Sequence, residues 1–219
     1  MYLILNSEHY CFHYQPNSQA AMDIDEIVSC QEECFSRICK TLNVQFPHTI
    51  HYWLCDTPEE VGHIYGDNEP CNGFARKPDT VYAVYNKDVK CIGAHEDAHL
   101  ISYIIATPNS CFLREGLAMF FDQTWWGRPN QFWVKKMISD KNTLIIETLF
   151  DDEVFYKHDC SLTYPLAGAF TQYLIEQFGL ESYLTMYQCN SGDWSQSFID
   201  CFSKNLQDIE ADFWKQLKG

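Results

Sequence analysis

The apolar residues of this chain change their spacing near residue 87, and that change limits the folds open to it. Before it, short β-prone runs alternate with turns and one long amphipathic segment; after it, the spacing is mainly helical. Residues 1–14 contain alternating segments broken by Asn6 and Ser7, and Pro16-Asn17-Ser18 marks a turn. Over 23–42, the positions of Ile24, Ile27, Val28, Cys34, Ile38 and Leu42 predict a helix. Residues 48–55 read as a buried strand, and Thr57 opens a short helix with Glu59 and Glu60 in its first turn. Two short strands follow, Gly73-Phe74-Ala75 and residues 80–85, around Lys77-Pro78-Asp79.

Beyond Asp88 the pattern predicts a helix over 88–106, ended by Thr107-Pro108-Asn109, and another over 112–123. A further helix is expected to start at Tyr164-Pro165, with proline in the first turn, and to stop at Gly179. The last helices fall over 180–188, 193–202 and 206–217. Strands first and helices afterwards predict an α+β arrangement, not alternating βαβ. A length of 219 residues suits one domain, with a strand-rich lobe over 1–87 and a helical lobe over 88–219.

Composition excludes several classes. Hydrophobic residues make up 46% of the chain and aromatics 16%, enough to bury a sizeable core and to argue against disorder. Thirty acidic residues against 15 basic ones give a net charge of −15, which repels nucleic acid and anionic membrane surfaces. No apolar run approaches the length of a membrane span; 100–106 is short and carries Ser102. The first ten residues lack a basic region followed by a long apolar stretch, so no signal peptide is expected. Eleven cysteines, an odd number with no repeating framework, then predict mostly reduced thiols and a cytoplasmic location. Cys30 and Cys34 are four apart on the predicted helix, but no second close pair completes a four-ligand metal site.

The chemistry concentrates in two segments. Residues 91–100 contain His95-Glu96-Asp97-Ala98-His99, a His-Glu-x-x-His pattern in a helical stretch. Residues four apart on a helix are neighbours on one face, so both imidazoles can reach a single ion. Glu96 lies beside them but points differently, which suits a base acting on water at that ion. The second segment, 112–121, is almost wholly apolar and contains Glu115. A buried carboxylate is costly unless it is paired or binds a metal, so Glu115 is the candidate third ligand for Zn2+. The break at 107–110 allows the second helix to fold back across the first, with Gly116 permitting close packing there.

These residues resemble the gluzincin metallopeptidases, particularly small peptidase-MA-like proteins with His-Glu-x-x-His followed by a short Glu-Gly-Leu-Ala helix. By that resemblance His95, His99 and Glu115 are the zinc ligands, Glu96 is the catalytic base and the substrate is a peptide or protein. It also implies a thermolysin-like catalytic domain, an N-terminal twisted sheet with a backing helix followed by a helical lobe. Gly73-Phe74-Ala75 followed by the strand over 80–85 resembles the edge strand lining the substrate cleft, and residues 80–85 are expected to pair there with an extended peptide. Residues 164–173 resemble a later segment that often supplies an oxyanion-stabilising Tyr, here Tyr164. The chain departs from the family in two places: only fifteen residues separate His99 from Glu115, and Met119 stands where an Asp is usual, with Asp122 one turn further on.

Other candidates are Tyr156 and His158 for the same proton-donor role as Tyr164, Arg114 for a substrate carboxylate or an ordinary ion pair, and Trp125-Trp126 for a cleft rim or core. The same water chemistry would serve a non-peptide amide or ester. A zinc-binding interaction module without turnover, and a purely structural domain, are the alternatives from other classes.

Overall fold

The computed structural model describes residues 1–189 and 192–218, and the chain divides into two compact units, Met1–Ile104 and Ile105–Gly219. The division falls after the His-Glu-x-x-His helix, which therefore belongs with the strands. Among the described residues no helix is long and apolar enough to cross a membrane.

The first unit is built on a five-stranded sheet. In chain order its elements are β1 (Leu3–Asn6), β2 (Tyr10–Tyr14), α1 (Gln19–Met22), α2 (Ile24–Leu42), β3 (Ile50–Cys55), α3 (Pro58–Tyr65), β4 (Gly73–Arg76), β5 (Thr80–Val84) and α4 (Ala94–Ser102). The strand order is β1-β2-β3-β5-β4. β1 and β4 pair antiparallel at the edges, whereas β2–β3 and β3–β5 are parallel. The expectation of strands without βαβ crossovers therefore fails here. Parallel neighbours need a long connection, and α2 and α3 supply it.

Period-two alternation gives the sheet two different faces. Tyr10, Phe12, Ile50, Tyr52, Leu54, Val81 and Ala83 are fully or almost fully buried on one face. α2 covers it with Ile27, Gln31, Cys34, Phe35, Ile38 and Leu42, a helical stripe, and ends at Asn43 in the left-handed conformation. On the other face, rings run from strand to strand: His13 stacks on Trp53, Trp53 on Tyr82, and Tyr82 on Phe74. α3 packs at one end of that face, Val61 against Cys55 and Val84. Its start is capped as expected, the Thr57 side chain accepting from the Glu60 N–H.

The predicted helix over 88–106 is shorter, Ala94–Ser102. Residues before it are held extended, Lys90 bridging to Tyr85 and the Cys91 N–H donating to the Val84 carbonyl at 2.8 Å. The long reading came from apolar spacing alone, and hydrogen bonds to β5 outweigh it.

The second unit contains α5 (Cys111–Asp122), a two-residue hairpin of β6 (Thr124–Trp125) and β7 (Arg128–Pro129), and α6 (Asn130–Ser139). A 3₁₀ turn (Ile146–Phe150), α7 (Asp152–Lys157), α8 (Cys160–Phe178), α9 (Leu180–Tyr187), α10 (Trp194–Phe202) and α11 (Leu206–Lys218) follow. α8 is its axis, buried from Pro165 to Thr171. Phe112, Phe150, Phe155, Phe170, Phe198 and Phe213 form the surrounding aromatic core. Gly116 serves a close approach, as expected, but its neighbour is α8: a Cβ there would sit 2.4 Å from Thr171 Oγ1 and 3.1 Å from the Ala167 carbonyl oxygen.

α8 also begins earlier than the Tyr164-Pro165 reading. Asp159 is its N-cap, accepting from the Ser161 N–H at 2.8 Å, and Pro165 lies inside the helix. Pro165 lies in the second turn, so the bond that a residue with an N–H would make to the Ser161 carbonyl is lost there.

Candidate metal centre

α4 carries the central motif, and its position is fixed by an unanticipated buried side chain. Gly93, the residue before the helix, has φ 128° and ψ −155°, a conformation suited to glycine. Its N–H donates to Gln31 Oε1 at 2.7 Å, and its carbonyl accepts from Gln31 Nε2 at 3.1 Å. Gln31 Nε2 also donates to Asp97 Oδ2 at 2.9 Å, and the Tyr10 hydroxyl donates to the same oxygen at 2.5 Å. Gln31 and Asp97 are both fully buried. Burial pushes the Asp97 carboxyl well above its ordinary range, with the Tyr10 and Gln31 bonds opposing it.

At about 100° per residue, Asp97 lies about 160° around the helix from both His95 and His99. Anchoring Asp97 in the core therefore turns the two imidazoles to the opposite face. Their ring centroids are 5.0 Å apart with the planes at 84°. The Tyr103 hydroxyl lies 3.4 Å from His99 Nδ1, a partner that holds the ring's orientation. Glu96 is directed at the sheet edge: a Cβ on Gly73 would come within 3.3 Å of Glu96 Oε1. That glycine is the signal for a carboxylate beside β4, and it was legible only as part of a strand.

β4 is the edge strand next to Glu96, a correction to the reading of residues 80–85. β5 is paired on both sides, with β3 and with β4, and has no free edge.

Glu115 sits in the second turn of α5 and is 8% exposed. The start of that helix is pinned from outside. The Cys111 N–H donates to Asp152 Oδ1, and Arg114 donates to the Pro108 carbonyl at 2.6 Å and to Asp152 Oδ2 at 3.2 Å. Arg114 thus has the ion-pair role. His95, His99 and Glu115 each offer one ligand atom, and these atoms all lie within 4.8 Å of one another. Two imidazoles and a carboxylate at that spacing could hold a metal ion.

Tyr164, Tyr156, His158, Trp126 and Asp122 belong to the second unit. The Tyr164 ring packs against Trp125 and Phe155, with centroids 5.1 and 5.6 Å away. The Tyr156 ring is largely exposed, but its hydroxyl is 3.1 Å from Cys111 Sγ, and partial desolvation there, that thiol and the Glu115 charge all raise its pKa. His158 follows the last residue of α7 as its C-cap. Trp126 is 65% exposed, so it is no core residue. Asp122 closes α5. Among the described residues none of the eleven cysteines is joined in a disulfide, and Cys30 lies close enough to Cys34 to raise its pKa by hydrogen bonding. No protein-family model matches the chain, and no curated protein matches it either.

Proposed function

We propose that this protein is a zinc-dependent hydrolase of the gluzincin type acting on peptide bonds. The observation that carries the reading is the convergence of His95, His99 and Glu115 ligand atoms within 4.8 Å, with Glu96 next to His95 on the same helix. Bound there, Zn2+ would supply a water acid enough to react near neutral pH and would polarise a carbonyl oxygen.

The chain's own residues provide the rest. Glu96 accepts the proton of the attacking water on its carboxylate and returns it to the leaving amine nitrogen. An extended substrate adds to β4, main chain to main chain, which brings its scissile bond alongside Glu96. The Tyr164 hydroxyl donates to the carbonyl oxygen as negative charge develops there.

Two variants and one measurement test the assignment. Glu96→Gln keeps the side-chain size, so zinc content should stay at the wild-type level while cleavage of a peptide library disappears. His99→Ala should lose zinc from this centre. Tyr164→Phe removes only a hydroxyl and should lower kcat about 100-fold with zinc content intact. Wild-type turnover by Glu96→Gln would overturn the mechanism. An unchanged kcat in Tyr164→Phe would move the donor role to Tyr156 or His158.

A further inference from the structure

The outer face of the sheet holds a second cluster of metal-binding side chains, independent of α4. In the parallel pairing of β2 with β3, Cys11 stands opposite His51 and His13 opposite Trp53. Period-two alternation places all four on the face away from α2. Cys11 Sγ is 3.4 Å from His13 Nε2, and His13 Nε2 is 3.2 Å from His51 Nδ1. The three donor atoms all lie within 4.8 Å of one another.

The Cys11–His13 and His13–His51 separations are close to the ones a tetrahedral ion imposes. With zinc–nitrogen bonds of about 2.05 Å and a zinc–sulfur bond of about 2.3 Å, tetrahedral angles separate two nitrogens by about 3.3 Å and nitrogen from sulfur by about 3.6 Å. The rings are also held in place. His13 is 8% exposed and stacks on Trp53 with centroids 4.0 Å apart and planes at 6°; Tyr2 meets the Trp53 ring edge-on at 5.1 Å. His51 is exposed, which gives an ion a route in and leaves a coordination position for water.

We propose that Cys11, His13 and His51 form a second metal site for a borderline-soft divalent transition ion such as Zn2+. One thiolate and two imidazoles favour that class over Mg2+ or Ca2+, which take oxygen donors. Binding replaces the Cys11 S–H bond with a sulfur–metal bond and releases one proton to solvent, so affinity rises with pH. The ion ties β2 to β3 through side chains, on the face opposite Tyr10, whose hydroxyl reaches Asp97 of α4.

Co2+ titration of the full chain reads this site apart from the α4 centre, because only a site with a cysteine ligand gives a sulfur-to-cobalt charge-transfer band in the near ultraviolet. The wild type should develop that band to saturation. Cys11→Ser should abolish it, and His51→Gln, a change at an exposed position, should weaken binding at least about tenfold. His99→Ala should leave the band intact, whatever becomes of peptide cleavage. Absence of the band, or an unaltered band in both Cys11→Ser and His51→Gln with native circular dichroism, overturns the proposal.

Discussion

Replacing Gln31 with Leu would keep the volume of a fully buried side chain while removing three of the bonds that fix the start of α4. The Gly93 N–H, the Gly93 carbonyl and Asp97 Oδ2 would each lose a partner inside the core. A buried polar group left unpaired costs about 1–3 kcal/mol, so Gln31→Leu should lower the stability of the first unit by at least that amount. The urea midpoint should fall, and zinc affinity with it, since the His95–His99 face is oriented through Asp97. An unchanged midpoint would mean that Gln31 is incidental. The candidate ligands His95 and His99 are legible in the sequence because their types and their four-residue spacing are local properties. Gln31 and Tyr10 were not. They lie 62 or more residues from their partners and are ordinary residue types in an amphipathic helix and an alternating strand.

At the scale of elements, the start and end signals carried the reading where a cap or breaker was present, and tertiary pairing decided the rest. α2, α3 and α5 fall within about two residues of expectation, in keeping with the ordinary uncertainty of helix ends. β5 was misjudged as an edge because nothing in residues 80–84 records that β4 pairs back onto it. Nothing in the sequence announces α6, because Pro129, standing at its N-cap, offers no side-chain oxygen to signal a start. Gly116 gives the element-level test. Its hydrogen faces Thr171 on α8, so Gly116→Ala places a methyl 2.4 Å from Thr171 Oγ1 and forces α5 and α8 apart. Overpacking of this kind costs about 1–3 kcal/mol, which exceeds the gain in helix propensity of about 1 kcal/mol. Gly116→Ala should therefore lower the melting temperature, and Gly116→Ala with Thr171→Ser should not restore it, since Ser keeps the oxygen. A melting temperature at or above wild type in Gly116→Ala would contradict the close contact.

For the molecule as a whole, acid should be the condition that separates specific from general electrostatics. The net charge of −15 at neutral pH vanishes near the sequence pI of 4.7, where solubility should be lowest. Some carboxylates do not follow that general titration, Asp23 among them. Asp23, at the junction of α1 and α2, accepts from Lys90 Nζ at 2.8 Å, from Gln19 Nε2 at 3.0 Å and from the Tyr85 hydroxyl at 2.9 Å. The Lys90 bond, then those of Gln19 and Tyr85, hold its carboxyl down at about 2. A carboxyl whose folded value lies below its unfolded value, about 3.9, stabilises the fold above the unfolded value. That contribution declines as pH falls from about 4 and is gone below about 2. Asp23→Asn should therefore lower the urea midpoint at pH 7, and the gap to wild type should narrow steadily between pH about 4 and about 2. Lys90→Met should show the same narrowing, because it removes the first of the three donors. A gap that stayed constant down to pH about 2 would assign the loss in Asp23→Asn to packing at the helix junction and not to the charge.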